Sequence, residues 1–225
     1  SWNRSTYAPV MTSSHDSVNE GLETIVVEIT GVTNGLESGT QQVTASILDD
    51  DADEFSIASS SATEGSGVTF TITLSRAVDV ETSLTFTTSD GTATTGDNDY
   101  TPISSQTVTF AVGGTSQTVT VNTTADNKVE ANETFTATLG GLNAGGRDVT
   151  ISGTNGSATG TINNDDSAVF SIADAPATEG SGVTFTITLS NPVDVPTSVT
   201  FTTSDGAATV GDNDYTAVSS QTVNF

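Results

Sequence analysis

The sequence contains no cysteine, a single histidine, and only four lysine and arginine residues in 225. Without cysteine, disulfides, thiolate nucleophiles and thiolate metal sites are excluded. A zinc centre or a Ser-His-Asp triad would have to be built around His15, the one imidazole. Four cations against 28 Asp and Glu leave a net charge of -24. Phosphate contacts need the Lys and Arg that are scarce here, so nucleic acid and anionic membrane are poor partners and a cationic one is natural. No apolar run approaches the roughly 20 residues of a membrane helix, so no membrane insertion is expected. No signal peptide is recognisable, and the sequence reads as a mature or excised piece.

What the chain has is threonine, 44 residues, and glycine, 21. Helix formers such as Leu, Lys, Arg, Gln and Met are few. β-branched residues alternate with polar ones, the pattern of half-buried strands. A chain rich in Ser, Thr and Gly with few charges also fits disorder. The regular alternation and an internal repeat argue against that.

The repeat organises the sequence. Residues 54–110 and 169–225 align without gaps at an offset of 115, with 44 of 57 positions identical, and 62–75 recurs unchanged as 177–190. A weaker relation links Asp16, Glu20 and Glu23 to Asp126, Glu130 and Glu133 at an offset of 110, and 47–50 to 162–165 at 115. The five-residue change falls in the Gly-rich stretch 143–155, where a loop tolerates insertion. The chain divides into 1–50, the back half of a unit; 51–166, a complete unit; and 167–225, the front half of another. In this frame Phe225 corresponds to Phe110, and Ser1 to Ala111.

Seven strands are expected in the complete unit: A at 55–57, B at 68–74, C at 82–88, D at 107–110, E at 118–121, F at 134–139 and G at 157–162. Residues 112–115, Val-Gly-Gly-Thr, read as a hairpin turn between D and E. Short strands punctuated by turns give an all-β fold of tandem immunoglobulin-like sandwiches. The back half would supply E, F and G, and the front half A to D.

Strands in such a sandwich alternate in direction, so the A–B, C–D and E–F loops and the end of G share one pole. Glu64 lies in A–B, Asp97 and Asp99 in C–D, Asp126, Glu130 and Glu133 in E–F, and Asp165 and Asp166 end strand G. The opposite pole holds Arg76 and Arg147. Gathering carboxylates costs several kcal/mol of repulsion unless a cation cancels it, and Lys128 is the only basic residue at the acidic pole. A hard divalent ion with six to eight oxygen ligands would do so, and Ca2+ accepts irregular geometry better than Mg2+. The competing reading is a solvated acidic face that maintains solubility.

The motifs Ala62-Thr63-Glu64-Gly65, Asp90-Gly91-Thr92-Ala93, Gly96-Asp97-Asn98-Asp99-Tyr100, Glu130-Ala131-Asn132-Glu133-Thr134-Phe135 and Ile162-Asn163-Asn164-Asp165-Asp166 together resemble the Calx-beta motif. The resemblance covers the complete unit, the front half from 169 and the back half from about Asp16 to Asp51. It implies a seven-stranded sandwich binding Ca2+ at the pole away from its N-terminus. The matching ligands here are Glu64, Asp99, Asp126, Glu130, Glu133, Asp165 and Asp166. The half-units carry the corresponding Asp16, Glu20, Glu23, Asp49 and Asp50 at the front of the chain, and Glu179, Asp212 and Asp214 at its end. Asn164 stands where the first unit has Asp49, and Pro9 interrupts the stretch aligned with strand E.

Calx-beta units occur as cytosolic Ca2+ sensors within a membrane transporter and as tandem arrays in extracellular adhesins and matrix proteins. Near-identical repeats, abundant Thr and absent Cys favour the second setting, at the cell surface or outside it. The expected function is a Ca2+-stiffened structural repeat whose partners are neighbouring repeats or further copies, head to tail. The alternative is an adhesin module for a carbohydrate or protein ligand. No enzyme is expected, since no nucleophile is paired with a base. His15 reads as a solvated loop residue, Trp2 and Tyr7 as core or a strand-pairing anchor, and Tyr100 and Tyr215 as packing beneath their acidic loops.

Overall fold

The computed structural model describes residues 5–39 and 41–225. Fifteen strands and no helix form among them: β1 (Glu23–Glu28), β2 (Gln42–Ile47), β3 (Asp53–Ile57), β4 (Ser60–Thr63), β5 (Val68–Leu74), β6 (Thr82–Asp90), β7 (Gln106–Phe110), β8 (Ser116–Val121), β9 (Glu133–Asn143), β10 (Val149–Ile151), β11 (Ser157–Asn163), β12 (Phe170–Ile172), β13 (Ile187–Leu189), β14 (Ser198–Phe201) and β15 (Gln221–Asn224). Trp2 lies outside the described residues. Tyr7 is 90% exposed and anchors nothing.

β3 to β11 build one sandwich. One sheet runs β10-β3-β5-β8 and the other β4-β11-β9-β6-β7. The alternation read from the sequence is the alternation of burial: in β5, Val68, Phe70, Ile72 and Leu74 are buried and the intervening threonines exposed. Five phenylalanines, Phe55, Phe70, Phe86, Phe110 and Phe135, fill the space between the sheets with at most 1% exposure. Phe70 lies 5.7 Å from Phe86 and 5.9 Å from Phe135, and Phe55 meets Phe110 edge-on at 4.8 Å.

The seven expected strands all form, with two additions and one correction. The first strand changes sheet: β3 pairs antiparallel with β5, and after 58–59 the chain crosses so that β4 pairs parallel with β11. A short β10 in the F–G connection adds a parallel partner to β3. The expected D–E hairpin is not one. β7 pairs with β6 and β8 with β5, so the turn carries the chain between sheets. The Gly114 amide donates to the Ala111 carbonyl at 2.8 Å, and Gly113 has φ 76°, where a side chain would be strained. Val-Gly-Gly-Thr fixes a turn; core burial, not the turn, decides which sheet follows.

The flanking segments form less. β1 pairs with β2, corresponding to F and G, but among the described residues of 1–50 the expected strand E does not form. Pro9 removes an amide there, and no B strand in that segment offers it a partner. At the other end β12 pairs with β13 and β14 with β15 as two separate ribbons.

The segments meet the complete unit through the same contact twice. Asn19 forms a parallel bridge with Val78, and Val129 one with Val193. Asn19 and Val129 are equivalent at offset 110, Val78 and Val193 at 115. In the second contact the Val129 amide donates to the Pro192 carbonyl at 2.9 Å and the Asp194 amide to the Val129 carbonyl at 3.1 Å. Each acidic pole therefore abuts the B–C loop of the unit that follows.

Candidate metal centre

The acidic pole of the complete unit is assembled from four stretches whose backbones are tied together. Glu64 follows β4, and its amide donates to the Asn163 carbonyl at 3.1 Å. The next residue, Gly65, has φ 69°, and an added Cβ would lie 2.7 Å from that of Ala125. Only glycine lets the A–B turn lie this close to the E–F loop.

The C–D loop is closed by its own carboxylates. The Thr94 amide donates to Asp99 Oδ2 at 2.6 Å, its hydroxyl to Asp97 Oδ2 at 3.1 Å, and Asn98 sits in the left-handed region at φ 68°. Tyr100 lies beneath, 3% exposed, stacked on Phe135 at 4.5 Å and donating to Asp90 Oδ1 at 2.7 Å. That bond holds Asp90 below the usual carboxylate range, while burial pushes the Tyr100 phenol up to about 12. The Thr124 amide donates to the Asp99 carbonyl at 2.9 Å, joining C–D to E–F.

The end of β11 braces the rest. Asn164 Oδ1 accepts from the Glu130 amide at 3.0 Å, and its Nδ2 donates to the Asp166 carbonyl at 3.0 Å. Asn164 thus positions two carboxylates, and its amide oxygen is already engaged by the protein. Asn132 Oδ1 accepts from the Asn164 amide at 3.1 Å.

The outcome is two groups of carboxylates, Glu64 with Asp126 and Asp166, and Asp99 with Glu130 and Glu133. In each, one oxygen per residue lies within 4.8 Å of the others. Glu64 and Asp126 of the first group and all three of the second line one pocket of about 170 Å3, as does Asp97; Asp166 is not in its wall. Asp165 is exposed and in neither group, though its charge reaches Glu64. Desolvation first, then Asp126, Asp166, Asp165 and Glu130, push Glu64 up to about 7. Desolvation and then Asp99 push Glu133 to about 7 as well. Lys128 pairs with Glu130 but is 43% exposed.

These residues fit a hard cation. Asp166 Oδ2 is buried with no hydrogen-bond partner, an orphaned acceptor that the protein leaves for something else to satisfy. The donors are carboxylate oxygens throughout, the set Ca2+ takes, with waters and carbonyls completing each shell. Ca2+ there would cancel the mutual repulsion.

The flanking acids are placed less completely. Asp16, Glu20, Glu23, Asp49 and Asp50 line one pocket of about 270 Å3 together with Asp51. The Val18 amide donates to Asp16 Oδ1 at 3.0 Å, as the Lys128 amide does to Asp126 Oδ1 at 2.7 Å. Desolvation and the neighbouring Glu23, Asp16, Asp79 and Asp49 raise the Glu20 carboxyl. His15 is 69% exposed, with Nε2 3.6 Å from Asp50 Oδ1. In the last segment Asp212 and Asp214 close on Thr209 as Asp97 and Asp99 do on Thr94, and Asn213 has φ 65°. Tyr215 donates to Asp205 as Tyr100 does to Asp90. Among the described residues, neither Glu179 nor Asp214 joins a group of three potential ligands.

Sequence reasoning missed Asp51, although it is the offset-115 counterpart of Asp166 and the repeat marks it. It also missed Asn19, fully buried at the first contact, where the equivalent Val129 gave no warning of a polar residue.

The Calx-beta domain family matches residues 49–166 and 163–225. No curated protein matches the chain significantly. Among solved structures, the apo form of the Calx CBD1 domain is 21% identical over 52% of this chain and 100% of that one, with a TM-score of 0.45. CBD12 from CALX1.2 is 22% identical, covering 57% of this chain and 53% of its own, at 0.45. The calcium binding domain CBD12 of CALX1.1 is 19% identical over 76% and 69%, at 0.44.

Proposed function

The chain belongs to the Calx-beta domain family, and on that premise we propose that it is a Ca2+-binding structural repeat of an extracellular fibre or adhesin, stiffened by Ca2+ where one unit meets the next. The observation that carries the reading is the buried, partnerless Asp166 Oδ2 among six carboxylates converging from four stretches. Asp165 and Asp166 leave only two residues before Val169, too short a link to act as a flexible tether. An ion at this pole therefore acts on the junction. Near-identical consecutive units, abundant threonine and absent cysteine support an extracellular setting, where weak module sites suffice because Ca2+ is about millimolar. No catalytic role is assigned. Among the described residues no helix is long and apolar enough to cross a membrane.

The test compares thermal melting in Ca2+ and in EGTA. One site at about 100 times its Kd adds about 2.7 kcal/mol. A melting temperature indifferent to Ca2+ refutes the site.

The partners proposed are neighbouring repeats or further copies, head to tail. The face of 170–224 that would meet strands E and F is open: Phe185 is 47% and Val183 50% exposed, whereas their counterparts Phe70 and Val68 are fully buried under β8 and β9. β1 and β2, equivalents of β9 and β11, likewise expose Val27 and Val43, whose counterparts Ala137 and Ala158 are buried. Strands E and F of a neighbouring repeat, or of another copy, would cover that face. Sedimentation in Ca2+ separates the two: a monodisperse monomer at high concentration excludes other copies. The competing adhesin reading, a module for a carbohydrate or protein ligand, would need a binding surface outside the repeat.

A further inference from the structure

The sandwich treats its two sides differently. On one side the sheets end in short strands, the three residues of β10 and the four of β4. Short edge strands give an incoming chain little to pair with. On the other side they end in β7 and β8, five and six residues long. Both belong to the stretch from Tyr100 to Ala125, the longest in the chain without a charged residue, in a protein of net charge -24. Beyond Pro102 that stretch has no proline either. The β5–β8 ladder runs without a bulge from Val68↔Val121 to Thr73↔Ser116. The devices that blunt an edge strand are charge, proline, a bulge and brevity, and β8 has none of them.

The hydrogen bonds show which groups β8 leaves open. The Leu74 amide donates to the Thr115 carbonyl at 2.9 Å. In this antiparallel register Gln117, Val119 and Val121 therefore bond to β5, and Ser116, Thr118 and Thr120 turn their N–H and C=O groups to the free edge. All three residues are exposed. The chain itself pairs on the same edge one step further along. The Thr101 amide donates to the Asn122 carbonyl and the Thr124 amide to the Asp99 carbonyl, each at 2.9 Å, with Tyr100 and Thr123 opposite each other in an antiparallel bridge. Pro102, which has no N–H, ends that added ladder before it reaches Thr120. The edge accepts a strand and is covered for only part of its length.

We propose that the open edge of β8 pairs with β8 of a second copy, antiparallel about a two-fold axis, so that the two four-stranded sheets join side by side. Charge and symmetry select this occupant. Two copies that each carry -24 repel over most of their surface, and they repel least where the uncharged stretch faces its like. An antiparallel strand edge is complementary to itself, and a two-fold contact closes as a dimer. The side chains agree with this. Thr69 and Thr120 already share a hydrogen bond at 2.9 Å across β5 and β8, and Ser116, Thr118 and Thr120 would meet hydroxyls of the same kind across the axis. The lateral contact uses none of the residues of the open 170–224 face.

Sedimentation of the full chain at rising concentration, in Ca2+ and moderate salt, reads the mass, which should rise from one chain to two. Thr118→Lys puts a charge on the edge and should abolish the dimer. Thr159→Lys makes the same change at an exposed position of β11, in the opposite sheet, and should leave the dimer intact; melting temperatures check that both variants fold. The chain has no cysteine, so single Gln117→Cys and Thr118→Cys variants report the geometry directly. Residues paired at the axis bring their Cα atoms to about 5.5 Å or closer, within disulfide reach. Oxidation should therefore give a covalent dimer at 117 or 118 and none with Thr159→Cys. The proposal is overturned by a chain that stays monomeric up to about 1 mM, by a Thr118→Lys chain that associates like the parent, or by cysteines at 117 and 118 that cross-link no faster than one at 159.

Discussion

Without Ca2+, raising the pH should destabilise this protein across a range where most proteins are indifferent. Glu64 and Glu133 are each held at about 7 in the folded chain against an ordinary 4.5. Between those values the folded state binds more protons than the unfolded state, so stability falls as pH rises and the full penalty is present above about 7. At about 1.4 kcal/mol per pH unit, each group costs on the order of 3 kcal/mol. The two share Glu130 as a neighbour, so together they cost less than twice that, roughly 3–5 kcal/mol. That is a large fraction of a domain's stability of about 5–15 kcal/mol. Asp79 and Asp90, held low by Arg147 and Tyr100, act in the opposite sense. Their contribution is lost only as pH falls below about 4, outside this window. The assay is melting temperature in EGTA from pH 4.5 to 8, repeated in Ca2+. In EGTA the midpoint should drop through the window; in Ca2+ the drop should be largely abolished, because the ion supplies the missing counter-charge. Glu64→Gln in EGTA should remove about half of the slope. A midpoint in EGTA that is flat or rises between pH 5 and 7 would refute the argument, since the carboxylates would then not be in conflict.

Three further outcomes follow from single side chains. Asp166→Asn should weaken Ca2+ binding measured by calorimetry while leaving the apo protein as stable or more so, since it removes a repelling charge beside Glu64. Phe135→Ala should cost about 3–5 kcal/mol in denaturant unfolding, because its ring meets both Phe70 and Tyr100 in the core. Tyr100→Phe should cost about 1–2 kcal/mol by the same measurement, from the lost bond to Asp90.

Much of the complete unit was legible because its signals are local. Val68–Leu74 alternates, and so does its burial; the acids sit in loops whose pole follows from strand parity alone. The D–E connection was misread because a Gly-Gly turn has the same local chemistry whether its strands pair or part. The sharpest limit is set by the repeat itself. Residues 62–75 and 177–190 are identical, yet the first copy forms the seven-residue β5 with its apolar face buried, and the second only the three-residue β13. Propensity and periodicity cannot differ between them. The difference is β8, which pairs with β5 along six residues, and the β9 face with Phe135 that closes over Phe70. The same holds for the metal centre: the C–D loop closes on Asp214 without its partners, because its bonds are within five residues, whereas the convergence of Glu64, Asp126 and Asp166 needs three loops brought together by the sandwich. In this fold the acidic loops are encoded locally and their convergence is encoded by strand pairing, so the gathering of the carboxylates and completion of the core are coupled properties of the same unit.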